Sequence, residues 1–140
     1  MRPVSIIWFE RLFLLSIALA LVSSVVQYDA LLAQIQTDPA FARMGWGGGF
    51  LIGVLALSAL IPLLLWYFIA RRASNLAKWL LVALIVVGLF FVNFDFATMW
   101  APGNLASILV TLMQIAAVAL LFRPDARAWL GSGGDRHVAP

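Results

Sequence analysis

Residues 66–79 read WYFIARRASNLAKW and form the charged interruption between two long apolar runs. The stretch carries Arg71, Arg72 and Lys78 without any acid, and a tryptophan stands at each end. Short cytoplasmic connections between transmembrane helices have this composition, because Lys and Arg are retained on the inner side and tryptophan rings prefer the headgroup region. The stretch therefore predicts a turn between two antiparallel membrane-spanning helices.

The composition of the whole chain agrees with a bilayer environment. Of the 140 residues, 64% are hydrophobic and 11% are charged, whereas soluble domains are about half apolar and about a quarter charged. A soluble chain of this length cannot bury so much apolar surface in one core. The net charge of +3 does not indicate nucleic-acid binding, because the cations stand at the ends of apolar runs. Disulfides and thiolate chemistry are excluded, since the chain has no cysteine.

Four apolar runs approach or reach the roughly 20 residues that a transmembrane helix needs. The predicted spans are residues 6–28, 49–70, 75–95 and 102–122. We therefore expect an all-α membrane protein with an antiparallel bundle of four transmembrane helices in residues 1–130. A short interfacial helix is expected after the first span, an amphipathic tail at 124–130 and a flexible C-terminal tail at 131–140.

Short polar and proline-containing segments mark the ends and bends of these helices. Asp38 and Pro39 predict an N-cap and the first residue of a short helix in the long first connection. Ser74 is the predicted N-cap of the third span. Pro62 lies inside the second span, where its missing N–H predicts a kink.

The distribution of Lys and Arg predicts the orientation of the chain. If residues 66–79 face the cytoplasm, both termini do as well, and of the nine Lys and Arg residues only Arg43 faces outward. This asymmetry is the positive-inside pattern. The six tryptophans agree with it, because all of them stand at the ends of the predicted spans.

Three segments resemble parts of small, uncharacterised four-helix bacterial inner-membrane proteins. They are LLWYFIARRASNLAKW at residues 64–79, LLFRPDARAWL at 120–130 and WFERL at 8–12. The resemblance covers a minor part of the chain. It implies a location in the bacterial inner (cytoplasmic) membrane, and it carries no known activity and no functional residues.

Glu10 is the first candidate for a functional side chain, because a carboxylate in a membrane helix can serve as a proton or cation site. In size and helix number the chain is also similar to the small multidrug resistance transporters, which use a glutamate in their first helix. Their glutamate lies well within the membrane, whereas here the uncharged run begins only at Leu12. The sequence therefore favours an interfacial ion pair of Glu10 with Arg11, Arg71 or Arg123, with a coupling site as the alternative.

A polar stripe follows one face of the fourth span. It consists of Asn104, Ser107, Thr111 and Gln114, which recur at helical spacing. The first span has a similar stripe with Ser16, Ser23 and Gln27. Polar groups must find partners in lipid, so both stripes are expected to face the bundle interior. Interhelical hydrogen bonds are the favoured interpretation, and a polar cavity for a small ligand is the alternative.

Two further groups of residues indicate interactions. Gly45, Gly49 and Gly53 stand at four-residue spacing, which lets another helix approach closely; packing within this chain is favoured over a membrane-protein partner or a second copy. The inner cations are candidate contacts for anionic lipid, although topology alone would place them there. These cations are Arg71, Arg72, Lys78, Arg123 and Arg127.

The spans contain no catalytic motif such as HExxH, GxSxG or a phosphate-binding loop. The sequence accordingly predicts no enzyme activity and no catalytic, metal or cofactor site. The leading hypothesis is an accessory or assembly subunit of an inner-membrane complex. The alternative is a small homo-oligomeric transporter of a proton-coupled solute or cation that uses Glu10 and the polar face of the fourth span. A third hypothesis is a lipid-binding protein that acts through its inner cations.

Overall fold

A computed structural model of the chain describes residues 2–90 and 100–132. Of these residues 87% are helical, and none of them forms a strand. The helices are α1 (Val4–Val26), α2 (Tyr28–Thr37), α3 (Pro39–Arg43), α4 (Gly48–Arg72), α5 (Asn75–Phe90), α6 (Pro102–Leu120) and α7 (Pro124–Gly131). Helices α1, α4 and α6 are long and apolar enough to cross a membrane. The prediction of an all-helical, membrane-type fold is therefore confirmed.

The observed helices follow the predicted spans closely, with α1, α4 and α6 ending within two residues of them. Helix α5 starts at the predicted residue, but its 16 residues as far as Phe90 are short for a crossing. The remainder of the predicted span 75–95 lies outside the described residues. The same holds for residues 133–140 of the predicted flexible tail.

The connections form as the local sequence predicts. The Asp38 carboxylate accepts a hydrogen bond from the Ala40 N–H at 2.8 Å, and Pro39 is the first residue of α3. In the second turn Ala73 adopts a left-handed conformation with φ 48°. This tight reversal lets Ser74 accept a hydrogen bond from the Ala77 N–H at 3.2 Å and so cap α5. Helices α4 and α5 are therefore antiparallel neighbours.

The buried core lies at one end of the bundle, which we call the closed end. There the starts of α1 and α5 meet the ends of α4 and α6, and α7 packs underneath them. The core consists of Ile6, Phe9, Phe13, Ile17, Ile69, Ala70, Ala73, Ala77, Leu81, Ala117, Leu121, Ala126 and Leu130. Because starts meet ends, neighbouring long helices run in opposite directions.

The other half of the bundle, which we call the open half, is loosely packed. Helix α1 is the central element: 33% of its most apolar 18 residues are buried, against 6% in both α4 and α6. The most extensive contact between helices joins α1 to α6. At the far end of the open half, the Trp46 ring stacks 4.0 Å from that of Phe50 and lies 5.5 Å from that of Phe41, which holds the start of α4 near α3.

Candidate functional site

Three cavities in the open half bring the predicted polar residues together. A central cavity of about 300 Å³ lies among α1, α4, α5 and α6 and is lined in part by Ser58, Thr111 and Gln114. A cleft of about 310 Å³ lies between parts of α1 and α6 and is lined in part by Gln27 and Ser107. A smaller cavity of about 50 Å³ shares Ser58 and Gln114 with the central cavity. The shared residues make the three spaces neighbours.

The polar stripe of α6 faces these cavities, as its helical spacing predicts. Ser107 and Thr111 line the cleft, and Thr111 also lines the central cavity together with Gln114. Thr111 and Gln114 are half-buried, whereas Ser107 is exposed. A role of these three side chains in binding or coupling stays a prediction.

Four polar side chains of these stripes form hydrogen bonds along their own segment of the chain instead of the predicted interhelical ones. Ser107 donates to the Gly103 carbonyl at 3.0 Å, and Thr111 donates to the Ser107 carbonyl at 2.8 Å. In α1, Ser16 donates to the Phe13 carbonyl and Gln27 donates to the Ser23 hydroxyl, both at 2.7 Å. The three hydroxyl bonds stay within one helix, because a short hydroxyl side chain reaches the carbonyl three or four residues earlier, and Gln27 at the end of α1 reaches back one turn to Ser23.

Glu10 forms an ion pair, but with a different partner from those predicted. Its carboxylate lies 2.7 Å from the Arg2 guanidinium. Arg11 instead stands 6.0 Å from the ring centre of Trp8, since adjacent residues of a helix do not face each other. The prediction of Arg11, Arg71 or Arg123 as the partner was therefore wrong. Glu10 is an ion-paired carboxylate at the closed end.

The predicted glycine face is open and shorter than expected. Gly45 lies before α4, in a turn with φ 67°, so it does not extend the helical stripe. A Cβ atom built on Gly49 or Gly53 would meet no heavy atom within 4 Å. The favoured prediction of packing within the chain was therefore wrong for the residues that the structure describes. The two helical glycines face outward along α4.

The five predicted lipid-contacting cations all lie at the closed end, but one of them is buried. Arg71, Arg72, Arg123 and Arg127 are exposed. Lys78 is only 6% exposed, and its ammonium lies 5.3 Å from the Trp79 ring centre and 5.0 Å from that of Phe122. Contact with the rings offsets part of the cost of burying this charge. Binding of anionic lipid stays a prediction.

Metal-binding clusters and comparisons with known proteins give no further information on the function of these side chains. Within residues 2–90 and 100–132, no group of three or more His, Asp or Glu residues could hold a metal ion. No family model, curated protein or solved structure matches this chain. The resemblance to small four-helix inner-membrane proteins therefore stays a prediction.

Sequence reasoning missed a polar contact that fastens α7 to α1. Asp125, in the first turn of α7, accepts a hydrogen bond from the Ser5 hydroxyl at 2.9 Å and from the Ser5 N–H at 3.3 Å. Helix α1 has no side-chain cap of its own, so Asp125 satisfies one of its first N–H groups from outside. The only sequence signal was the carboxylate directly after Pro124, at the start of a short helix.

The Asp125 contact predicts that the attachment of α7 to α1 weakens in acid. The hydrogen bond from the Ser5 hydroxyl, more than any other factor, lowers the pKa of Asp125 from its ordinary 3.8. A lowered pKa in the folded state means that the contact stabilises the protein above pH 3.8 and is lost as the pH falls through the lowered value. A spin label on Ser132→Cys, placed in a chain without native cysteine, should become mobile below that pH.

A variant pair checks the origin of that transition. Asp125→Asn removes the charge, so we expect a mobile label on Ser132→Cys already at neutral pH and little change in acid. Asp29→Asn alters an exposed carboxylate on α2 and should preserve the wild-type pH profile. Equal profiles for Asp125→Asn and the wild type would show that another group holds α7.

Proposed function

We propose that this chain is a non-catalytic integral membrane protein that acts as an accessory or assembly subunit of a bacterial inner-membrane complex. In this proposal α1, α4, α5 and α6 belong to four antiparallel spans. The closed end and both termini are cytoplasmic, and the open half is directed outward. The exposed Arg71, Arg72 and Arg127 at the closed end support this orientation.

The main support for this proposal is the exposure of α4, most of which is not covered by other parts of the chain. Only 6% of its most apolar 18 residues are buried, and no heavy atom of the described residues lies within 4 Å of a Cβ atom built on Gly49 or Gly53. Lipid tails can cover exposed Leu and Ile, but a bare glycine gains little from lipid. Glycine is favourable where a second helix approaches closely, because van der Waals packing is a main force between helices in a bilayer. A partner helix on α4 therefore fits better than lipid alone.

The stable closed end fits the same role. A core of Phe, Ile, Leu and Ala side chains holds all four long helices at that end, so the open half can receive a partner without loss of the fold. Exposed apolar residues continue along α4, among them Ile52, Leu57 and Leu60. A helix that is uncovered along its length but fixed at the closed end is suited to binding a partner helix.

Transport by a homo-oligomer is the second candidate, and one observation favours it. Thr111 and Gln114 line a cavity of about 300 Å³ between the helices. Glu10 does not support transport, because its carboxylate is already paired with the Arg2 guanidinium. A transporter of this kind would have to rely on the polar face of α6.

Gly53→Leu is the variant that tests the accessory role. We expect it to weaken association with the partner subunit by about tenfold or more, because the larger side chain prevents close approach of a second helix. The measurement is native mass spectrometry of the protein extracted from its native membrane in lipid nanodiscs. The wild type should carry a foreign subunit in fixed stoichiometry.

Gly88→Leu is the matched control for that experiment. Gly88 lies on α5 and also has no heavy atom within 4 Å of a built Cβ, so the same substitution enters open space there and leaves the Gly53 face of α4 unchanged. It should retain the foreign subunit. A foreign subunit that stays equally bound in Gly53→Leu would refute docking on this face. A homo-oligomer without any foreign subunit would favour the second candidate.

A further inference from the structure

The central cavity has the chemistry of a binding site as well as the shape of one. It is lined mainly by apolar side chains, and none of the described residues that line it is charged. Phe13 and Leu81 of the core line it toward the closed end, whereas the exposed Ser58, Leu84 and Gly88 line it toward the surface. It is therefore accessible from the bilayer, and its neutral lining favours a neutral occupant, since a charge would be poorly solvated there.

Gln114 supplies the first polar group of this cavity. It lies near the middle of the long α6 and lines both the central cavity and the small cavity beside it. Its amide makes no hydrogen bond with the residues that the structure describes. An amide carries two N–H donors and one carbonyl acceptor, and leaving them unpaired in an apolar setting costs free energy. We therefore expect the Gln114 amide to form hydrogen bonds with a molecule outside the described fold.

The second polar group is the backbone of α4 at Ser58. Pro62 has no N–H, so the Ser58 carbonyl loses the partner that it would have in an uninterrupted helix. Ser58 and Pro62 line the same two cavities as Gln114. The proline thus removes the usual helical donor of this acceptor, which lies on the helix opposite α6 across the cavity.

The hydroxyl groups of the cavity also act as acceptors. The Ser58 hydroxyl donates to the Leu55 carbonyl at 2.8 Å, and the Thr111 hydroxyl donates to the Ser107 carbonyl at 2.8 Å. With their hydrogens engaged, both oxygens retain only lone pairs. The polar part of the cavity is therefore richer in acceptors than in donors, and it suits an occupant that donates a hydrogen bond.

We propose that the central cavity is a binding site for a neutral, largely apolar molecule that carries a hydroxyl donor, such as a lipid-soluble alcohol or phenol. The apolar body lies against the Leu, Ile and Phe side chains. The hydroxyl donates a hydrogen bond to the Gln114 amide carbonyl, and the oxygens of Ser58 and Thr111 are further acceptors beside it. This site goes beyond the proposed accessory role, because it requires no partner subunit.

The test uses 4-fluorophenol and 4-fluoroanisole as a pair of probes. They have similar shapes, but only the phenol has a hydroxyl donor. The protein is placed in lipid nanodiscs, and binding is measured by fluorine NMR against empty nanodiscs, which correct for partition into lipid. We expect saturable binding of 4-fluorophenol, with an affinity about fivefold or more above that of 4-fluoroanisole, as the loss of a hydrogen bond implies.

Two variants act on the site by different means. Gln114→Met keeps the length of the side chain and removes the amide, so the preference for the phenol should fall to about twofold or less while 4-fluoroanisole binds as before. Gly88→Leu places a side chain where the cavity offers open space and should abolish saturable binding of both probes. Gln34→Met on the exposed α2 and Gly53→Leu on α4 are the matched controls and should bind like the wild type.

Several results would overturn the proposal. They are an absence of saturable binding above empty nanodiscs, equal affinity for the two probes, an unchanged preference in Gln114→Met, and undiminished binding in Gly88→Leu. The accessory role is tested separately, since Gly53→Leu should impair partner association and preserve probe binding, whereas Gly88→Leu should do the opposite.

Discussion

Ala117→Leu is expected to destabilise the bundle by about 3 kcal/mol, near the upper end of the usual cost of overpacking a core. Ala117 is completely buried on α6, in the core that also contains Phe9 and Phe13 of α1. The contact between α1 and α6 is the most extensive in the described fold, so an enlarged side chain there forces the two helices apart. The measurement is the SDS mole fraction at which the protein unfolds in mixed micelles.

Ala116→Leu is the control for this substitution, because the neighbouring Ala116 is exposed on the same helix. The chemical change is identical, but the added atoms enter lipid or detergent. We expect a shift within about 0.5 kcal/mol of the wild type. If the two variants unfold at the same point, α6 does not pack at Ala117 as the structure describes.

Phe9→Ala is the second variant with a large expected effect, a loss of about 2–3 kcal/mol. Phe9 is fully buried and stacks on Phe13 with ring centres 5.3 Å apart. In a bilayer the unfolded helices remain in apolar surroundings, so the cost of exposing the ring largely cancels. The cost of the cavity remains, at roughly 24 cal/mol per Å³ of unfilled volume. The same unfolding titration measures it.

Phe90→Ala removes the same ring from a site that is 84% exposed. No cavity forms there, so the unfolding midpoint should stay near that of the wild type. A loss at Phe90 as large as the loss at Phe9 would indicate that burial within the chain does not determine stability. A loss confined to Phe9 would show that the closed end holds the helices together.

The division into a closed end and an open half connects the proposals. The closed end contains the core, the Asp125 contact and the Glu10 ion pair. The open half contains the uncovered face of α4 and the cavities beside Gln114. Stability and interaction are thus assigned to opposite ends, which is why Ala117→Leu tests the fold and Gln114→Met tests the site.

The sequence by itself determined the helical, membrane-type fold and most helix ends. Apolar runs of about 20 residues allow few structures other than helices in a bilayer, because every backbone polar group must be satisfied within the segment. The capping roles of Asp38, Pro39 and Ser74 could also be predicted from the sequence, because each involves only residues nearby in the chain. The spacing of Thr111 and Gln114 placed both on one helix face.

Only the tertiary structure decided which of these faces are covered and which side chains meet. Glu10 pairs with Arg2, Lys78 is buried against two rings, and Asp125 reaches Ser5 across 120 residues. Sequence spacing predicts neighbours along a helix, but contacts between helices depend on how the helices tilt and turn against one another. The same packing leaves Gln114 beside a cavity. It also leaves Gly53 uncovered, whereas the sequence alone favoured packing of Gly53 against another helix of this chain.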